Sequence, residues 1–403
     1  MDRLLKNKDI VIVGLQAWDN EIGSNCIDIA LQFSKHNRVL YVNYPLNRRT
    51  LVKEKNNPQV QKRVNLIKNK KENLFQIKEN LWNLYPSCIL ESINWIPSTP
   101  LFNLINRVNN ARFAKEIKKA IRHLGFKDFI LFNDSDMFRG FFLKEMLQPQ
   151  LSVYYTRDNL IGFPYFRRHG TKLEPMIMSK SHLIVANSTY LADIARKYNM
   201  HSYYVGQGCE LSQFSLTNIY EIPADLAYIK KPVIGYIGAL LSIRLNLPLL
   251  EELAANNSQW NFVFVGPEDE DFKNSSLHQL PNVCFPGLKP MKELPHYLAY
   301  FDVAINPQVL NEVTIGNYPR KVDEYLAMGK PVVATETRAM NIFADHVYFA
   351  NTARQYAEQI ATALKEDSEE KQRQRAEFAQ SHTWENSVAE IYKAIDKVKS
   401  IEL

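Results

Sequence analysis

Short runs of consecutive apolar residues recur in the first half of the chain, separated by turns and helical patterns. They occupy residues 9–14, 38–43, 128–132, 151–155 and 183–186. A run that is apolar at successive positions, rather than at alternate ones, is typical of a parallel strand covered on both faces. Helical spacing at residues 26–33, between the first two runs, completes a βαβ unit and predicts an α/β fold.

The second half repeats the alternation of strands and helices. Its predicted strands occupy residues 232–238, 261–266, 282–285, 302–306 and 331–334. Four of these five strands have a glycine or proline at or near their carboxyl end, among them Gly238, Gly266, Gly287 and Pro307. Because ligands of open α/β sheets bind beyond the carboxyl ends of the strands, we expect a ligand site along this edge.

A polar, proline-containing connection at residues 216–232 separates the two halves. The pattern therefore predicts two Rossmann-like, doubly wound parallel-sheet domains, at 1–215 and 216–382. Residues 383–403 have the pattern of an amphipathic helix, which we expect to pack back on the first domain. Two such domains in series would leave a cleft between them, and clefts at domain interfaces are favoured ligand sites.

Composition narrows the class of protein. Of 403 residues, 46% are hydrophobic and 23% charged, which is ordinary for a soluble globular protein. The four cysteines, Cys26, Cys88, Cys209 and Cys284, form no CxxC pair, so we expect neither a disulfide framework nor a zinc site. No apolar run is long enough for a signal peptide or a membrane span. These features favour a protein of the reducing cytoplasm.

Positive charge is concentrated in residues 47–78. This segment carries ten Lys or Arg residues against Glu54 and Glu72, whereas the whole chain has a net charge of +6. Such a patch is typical of a solvated surface, or of a contact with anionic lipid, an anionic acceptor or nucleic acid. Because no zinc-finger, RRM or KH signature accompanies it, nucleic acid is not an expected partner.

The most informative segment is 318–334. Pro319 stands where a helix can begin, and Gly329 stands where it can end. Arg320 and Lys321 fall in the first turn, where cations oppose the helix dipole unless a phosphate binds there. Glu324, one turn after Lys321, could accept hydrogen bonds from ribose hydroxyls. The spacing is equally compatible with a plain Lys321–Glu324 surface pair.

Residues 319–334 resemble the donor-site motif of GT-B glycosyltransferases of the large retaining group called family 4, P-x-K-x-x-E-Y-L-A-x-G-K-P-V-V. The similarity extends over most of the C-terminal half, through 233–238, 281–287 and 294–304. In the N-terminal half it is looser and depends on 188–191 and 205–214. The resemblance extends to transferases of the teichuronic-acid and exopolysaccharide type. It implies an acceptor-side first domain and a nucleotide-sugar-binding second domain.

The resemblance also implies roles for individual residues. Glu324 would bind the ribose hydroxyls, and Lys321 and Arg244 would contact the diphosphate. The full implied donor set is Gly238, Arg244, Gly266, Phe285, Gly287, Leu288, Pro319, Arg320, Lys321 and Glu324. The sequence departs from the family pattern twice. Gly316 stands where many members have a second Glu, with Glu312 nearby, and the loop 239–245 has one cation, Arg244, instead of an Arg/Lys pair.

In the first domain, the resemblance implies that Asp158 is the polar residue near the reacting centre, which would act together with Arg244 and Lys321. A loop-capping role is the alternative for Asp158. The loop with Gly14, Trp18 and Gly23 would face the acceptor, although Trp18 could equally pack in the core. The Asp-x-Asp sequence at 134–136 is a spacing that is common by chance, so we expect no essential metal.

These observations favour transfer of a sugar from a UDP- or GDP-linked donor to a glycan or lipid-linked acceptor, with retention and without a cofactor. Electrostatic stabilisation of the leaving diphosphate would suffice, with no protein nucleophile. The basic segment 47–78 could hold the first domain at the inner face of the cell membrane. A non-catalytic glycan- or nucleotide-sugar-binding relative and a GT-B-fold epimerase are alternatives. A nicotinamide-dependent oxidoreductase is disfavoured because G-x-G-x-x-G is absent.

Overall fold

A computed structural model describes residues 5–19, 24–69 and 72–400. The chain divides into two compact units, Met1–Gly206 with Trp384–Leu403, and Gln207–Thr383. The sequence placed the first boundary after residue 215, nine residues too late, and the second after residue 382. The first difference arises because Phe214, Leu226 and Ile229, which flank or lie within the polar connection, are buried in the core of the second unit.

The first unit contains an eight-stranded sheet in the order β3-β4-β2-β1-β5-β6-β7-β8. The strands are β1 (Asp9–Val13), β2 (Arg38–Val42), β3 (Leu74–Lys78), β4 (Leu81–Leu84), β5 (Ile130–Asp134), β6 (Leu151–Thr156), β7 (Leu183–Ala186) and β8 (Ser202–Tyr204). All neighbouring strands are parallel except β3, which pairs antiparallel with β4. The sheet is therefore the predicted α/β type with an antiparallel edge.

Helices cover both faces of this sheet. They are α1 (Asn25–Phe33), α2 (Arg48–Lys53), α3 (Pro58–Lys68), α4 (Thr99–Leu124), α5 (Leu143–Leu147), α6 (Pro164–Lys180), α7 (Thr189–Arg196) and α14 (Trp384–Lys399). The last of these buries Trp384, Ile391 and Tyr392 in the same core as Ile10 and Phe33 of the first βαβ unit. The C-terminal helix thus completes the first unit, to which the chain returns after the second.

The second unit contains a six-stranded, fully parallel sheet in the order β11-β10-β9-β12-β13-β14. Its strands are β9 (Val233–Ile237), β10 (Asn261–Val265), β11 (Val283–Gly287), β12 (Val303–Asn306), β13 (Val332–Ala334) and β14 (Tyr348–Phe349). Its helices are α8 (Leu247–Asn256), α9 (Glu270–Lys273), α10 (Leu294–Tyr300), α11 (Arg320–Ala327), α12 (Ala353–Glu366) and α13 (Glu369–Gln380).

The continuous apolar runs become the central strands of this second sheet. Every residue of β9 is buried, as is every residue of β12, because helices lie against both faces. Parallel pairing brings the carboxyl ends of β9, β10 and β12 to one edge. The site predicted from the sequence lies at this edge, where Gly238 follows β9, Gly266 follows β10 and Pro307 follows β12.

Candidate functional site

Two glycines bring the backbones after β9 and β10 into close contact. A Cβ atom on Gly266 would lie 2.0 Å from the carbonyl oxygen of Gly238, and both residues have positive φ, 152° and 144°. The Gly238 N–H donates to the carbonyl oxygen of Val265 at 2.9 Å. Only glycine permits this approach, so the edge of the sheet presents bare backbone where two strands end.

Helix α11 begins beside these strand ends without a side-chain cap. Its N-cap residue is Pro319, which offers no side-chain acceptor to the first turn. Two amides of that turn are bonded within the backbone, since the Arg320 and Val322 N–H groups donate to the carbonyl oxygens of Tyr318 and Pro319, at 3.1 and 2.9 Å. The helix ends before Gly329, which has φ 69°, and the Lys330 N–H donates to the carbonyl oxygen of Tyr325 at 3.0 Å. The bounds agree with the sequence prediction, and no side chain caps the first turn.

Lys321 lies within reach of the strand ends. Its ammonium group donates a hydrogen bond to the Tyr236 hydroxyl and lies 4.0 Å from the centre of that ring. A Cβ on Gly238 would be 2.6 Å from the same nitrogen. The Tyr325 hydroxyl accepts from the Ile237 N–H at 2.8 Å, which fixes α11 against the end of β9. Lys321 is thus held beside Gly238 and still has N–H donors for a ligand.

Glu324 forms no hydrogen bond or ion pair with any residue that the structure describes, and its side chain is half-buried. Burial raises the pKa of this carboxyl group above its ordinary value, and the nearby Arg320 and Lys321 offset that rise only in part. The alternative of a plain Lys321–Glu324 pair is therefore not realised. Arg320 is also half-buried, and within the described residues its Nε atom is buried without a partner.

A buried cluster that the sequence did not predict lies on the opposite side of α11. The carboxylate of Asp323 is fully buried and accepts from the Tyr318 hydroxyl at 2.8 Å and from the Cys209 thiol at 3.2 Å. Its other oxygen lies 2.7 Å from Nδ1 of His382. These contacts join α11 to the first and last segments of the second unit.

Lys330 of the G-K-P-V segment is engaged by backbone carbonyl groups and has a structural role. Its ammonium group donates to the carbonyl oxygens of Ala299 and Phe301, at 2.7 and 2.8 Å, where α10 ends. Burial lowers the pKa of Lys330 to about 8. A lysine at this position therefore satisfies the last carbonyls of one helix and supports the start of β13.

The remaining donor residues predicted from the sequence lie along the same edge of the second sheet and are more exposed to solvent. Phe285 is half-buried and stacks on His278, with ring centres 4.1 Å apart, and Leu288 is 74% exposed. Gly287 has φ 80° and open space where a Cβ would be. Arg244 is exposed on the loop after β9, and its side chain forms no hydrogen bond or ion pair with the described residues. It is free to meet a phosphate.

The first departure from the family pattern, Gly316, lies in the turn between β12 and α11. Gly316 is buried within this turn, whereas Glu312 is exposed. The turn is held together internally, because Gln308 Nε2 donates to the Thr314 carbonyl oxygen at 2.7 Å. The structure thus provides no buried carboxylate at 316, and Glu312 lies at the surface of the same turn.

In the first unit, Gly14 and Trp18 have structural contacts. A Cβ on Gly14 would lie 2.2 Å from the Tyr41 hydroxyl oxygen, so glycine is required there by packing. Trp18 is half-buried and meets Tyr41 edge-on, with ring centres 5.1 Å apart. Gly23 lies outside the described residues. A cavity of about 430 Å³ opens beside residues 15–17, and Gln16 Oε1 is buried without a partner among the described residues.

The acidic residues singled out in the first unit, Asp134, Asp136 and Asp158, are paired with arginines. Asp134 is fully buried and accepts from Arg157 Nε at 2.8 Å, and Arg157 also pairs with Asp158 at 3.2 Å. Asp136 is bound by Arg139 at 2.6 Å. The Asp-x-Asp carboxylates therefore have separate structural partners. No group of three His, Cys, Asp or Glu residues among those described could hold a metal ion.

Comparison with known proteins finds a family match within the second unit. Residues 231–366 match the family described as glycosyl transferases group 1. The chain is 31% identical over 188 residues to a Bacillus subtilis (strain 168) protein named as a teichuronic acid biosynthesis glycosyltransferase, TuaH. That match covers 44% of this chain and 46% of the relative, so it spans about half the length of each.

Solved structures with the same fold are more distant in sequence. Sucrose-phosphate synthase of Thermosynechococcus elongatus is 13% identical, with a TM-score of 0.64 and coverage of 98% of this chain and 100% of that one. Alr3699/HepE of Anabaena, solved with UDP and glucose, is 14% identical, with a TM-score of 0.62 and coverage of 97% and 100%. These findings confirm the predicted GT-B fold, and the family match lies within the second unit.

Proposed function

We propose that this protein moves a sugar from a nucleoside-diphosphate donor to a glycan or a lipid-linked acceptor, because residues 231–366 match the glycosyl transferases group 1 family. The observation that carries the proposal is the composition of the first turn of α11. It combines an uncapped helix N-terminus, two cations and a carboxylate without a partner among the described residues. Such a turn fits a diphosphate and the adjoining ribose.

In this proposal the helix N-terminus, Lys321 and Arg244 stabilise the negative charge that develops as the nucleoside diphosphate leaves. The bare backbone at Gly238 and Gly266 lets the diphosphate approach the strand ends. Glu324 accepts hydrogen bonds from the ribose hydroxyls. Phe285, Gly287 and Leu288 border the base. No protein nucleophile is required, since positioning and electrostatic stabilisation supply the catalysis.

The finer parts of the proposal are retention at the anomeric carbon and independence of metal. Retention is supported by the resemblance of residues 319–334 to retaining transferases. Metal independence is supported by the arginine partners of Asp134 and Asp136. Proton NMR of the product would give the anomeric configuration. Full activity after treatment with EDTA would agree with the absence of an essential metal, and loss that Mg²⁺ or Mn²⁺ restores would contradict it.

The acceptor is proposed to bind the first unit. The cavity of about 430 Å³ supports this, because residues 15–17, in the loop between Gly14 and Trp18, are among those that line it. Asp158 remains the proposed polar group near the reacting centre, and Arg157 pairs with it at 3.2 Å. TuaH is named for teichuronic acid biosynthesis, which supports a polysaccharide acceptor of the cell envelope.

The donor part of the proposal can be tested by thermal shift with UDP, GDP and ADP. One of the three nucleotides should raise the free energy of unfolding of the wild-type protein by about 2.7 kcal/mol at a hundredfold excess over its Kd. The Glu324→Ala variant should lose most of that stabilisation. HepE was solved with UDP, which favours UDP as the ligand of this chain. If none of the three nucleotides stabilised the wild-type protein, the donor site would be wrong.

The second candidate is a non-catalytic binding protein of the same fold, which Gly316 in place of the family glutamate favours. Both candidates should bind nucleotide, so binding does not separate them. Slow hydrolysis of the nucleotide sugar by the purified protein separates the two candidates. Release of free nucleoside diphosphate that Lys321→Ala abolishes would support the transferase, whereas binding without any turnover would support the binding protein.

A further inference from the structure

Helix α4 has an outer face that no other described element covers. The helix spans 26 residues, about 39 Å. Its inner face packs on the first sheet through residues that include Phe102, Phe113, Ile117 and Ile121. Its outer positions recur at the three- and four-residue spacing of a helix and are exposed over the whole length.

The beginning of this outer face is apolar. Leu101, Leu104 and Val108 are 49%, 67% and 51% exposed and are separated by three and four residues, so they lie together on the helix surface. Trp95, four residues before the helix begins, is 73% exposed. Single exposed apolar residues are ordinary on soluble proteins, but a cluster on one helical face marks an interaction site.

The rest of the outer face is basic. Five of its cations form no hydrogen bond or ion pair with the described residues: Arg107, Lys115, Lys118, Lys119 and Arg122. Arg112 pairs with Glu91 at 3.0 Å. The one acidic residue of the helix, Glu116, is turned to the N–H of Ser87 at 3.2 Å. Negative charge is therefore scarce along this face.

Spacing makes this arrangement unfavourable for the isolated protein. Lys115 and Lys119 are four residues apart, as are Lys118 and Arg122, and like charges at this spacing repel each other on a helix. An anionic partner along the face would convert that repulsion into attraction. The apolar beginning must be covered by the same partner, because both parts belong to one continuous face.

We propose that the outer face of α4 binds the surface of an anionic lipid bilayer. Leu101, Leu104 and Val108 enter the boundary between headgroups and acyl chains, and Trp95 lies at the same depth, where tryptophan is favoured. The basic residues that follow meet the lipid phosphates. The helix lies in the plane of the interface, which agrees with the finding that no described helix is long and apolar enough to span a membrane.

A bilayer explains this face better than a nucleic acid does. A nucleic acid would be recognised by the cations alone and would leave three aliphatic side chains exposed to water. The face is also distinct from the basic segment 47–78, in which Lys62 and Arg63 are held by Asp19 and Arg48 by Glu91. The two basic surfaces meet at Glu91, which binds both Arg48 and Arg112.

Sedimentation with vesicles tests the proposal on the full-length protein. Vesicles of phosphatidylcholine with 30% phosphatidylglycerol, roughly a membrane-like anionic content, are compared with pure phosphatidylcholine. The charge variant is Lys115→Gln/Lys118→Gln/Lys119→Gln/Arg122→Gln. It should bind the anionic vesicles at least about 100-fold more weakly at low salt, since each basic residue at such a surface contributes roughly fivefold. Leu104→Ser should weaken binding to the anionic vesicles, and the binding that remains should be more sensitive to salt.

The matched control removes four exposed cations elsewhere, Lys197→Gln/Lys230→Gln/Lys292→Gln/Lys365→Gln. It has the same net charge as the α4 variant and should bind vesicles like the wild-type protein. Equal loss in both variants would mean that net charge, not α4, determines binding. Wild-type binding to neutral and anionic vesicles alike, or none to either, would overturn the proposal. A third variant, Arg49→Gln/Lys53→Gln/Lys55→Gln, alters the basic segment 47–78, and a loss of vesicle binding confined to that variant would overturn the proposal too. Nucleotide binding should survive in every variant, so this test does not depend on the transferase assignment.

Discussion

The ammonium group of Lys321 lies 4.0 Å from the centre of the Tyr236 ring and donates a hydrogen bond to its hydroxyl. Tyr236 belongs to β9, so the contact connects the first turn of α11 to the strand that ends at Gly238. An aromatic face and a hydroxyl hold the cation in place without neutralising it. A lysine so held keeps its charge available for a bound diphosphate.

Lys321→Ala should therefore lower kcat/KM by about 10²- to 10³-fold, the usual cost of losing one charged group that stabilises the transition state. Tyr236→Phe is the matched variant, because it keeps the ring beneath the ammonium group and removes only the hydroxyl. It should lower kcat/KM much less, by roughly fivefold or under, the worth of one hydrogen bond. Steady-state kinetics with the donor that gives the thermal shift would measure both. Equal activity of Lys321→Ala and the wild-type protein would exclude the proposed role.

Gly266→Ala should destabilise the second unit by about 3 kcal/mol or more. The new methyl group would lie 2.0 Å from the Gly238 carbonyl oxygen, and the φ of 152° is unfavourable for alanine. Gly287→Ala is the control for backbone conformation alone, because Gly287 has φ 80° and open space around its Cβ position. It should cost about 1–2 kcal/mol. Urea unfolding would compare them, and equal losses would show that the contact with Gly238 is relaxed at little cost.

The sequence predicted the interior strands well and the edge strands poorly, for a physical reason. Strand β9 is buried at every position, so its residues are apolar throughout and the run is visible. Strand β3 is exposed at four of its five positions and lies at the sheet edge, in a segment rich in lysine. Its Leu-Phe-Gln-Ile-Lys sequence lacks the pattern of a covered strand, and positive charge is the more visible feature of the segment 47–78.

The site was predicted where its residues are close in sequence. The motif at 319–329 gave the helix, its bounds and the positions of Lys321 and Glu324. It did not give the role of Asp323, because its partners Cys209 and His382 are 114 and 59 residues away. The choice between acceptor contact and core packing for Trp18 could not be made from the sequence either. Its packing depends on Tyr41, which lies on β2. Contacts between distant segments leave no local pattern.

Asp323→Ala should lower the free energy of unfolding by about 3–5 kcal/mol, because it leaves the buried partners of a fully buried carboxylate without an acceptor. His382→Ala should cost less, and the double variant should cost less than the sum of the two, since the residues share one contact of 2.7 Å. Cys209→Ala is the mild control, because a thiol is a weak donor. Denaturant unfolding of the four variants would measure the coupling. Additive losses would mean that the contact contributes nothing.

Glu324 gives the prediction that separates stability from function. Its pKa is raised by burial above 4.5, and the neighbouring cations offset this only in part. As pH rises from 4.5 through the raised pKa, the unfolded chain releases this proton more readily than the folded protein, so ionisation of Glu324 reduces stability. At pH 7, Glu324→Gln should therefore be at least as stable as the wild-type protein, with an equal or higher Tm. Its affinity for the nucleotide sugar should nevertheless fall about tenfold or more, because the amide loses one of the two oxygens that accept from ribose.

In the wild-type protein, affinity for the nucleotide sugar should decline as the pH falls through the raised pKa of Glu324, whereas in Glu324→Gln that dependence should be absent. Isothermal titration with a nucleotide sugar, whose diphosphate does not titrate in this range, would measure both. A variant that binds like the wild-type protein, or one that keeps the same pH dependence, would remove Glu324 from the donor site.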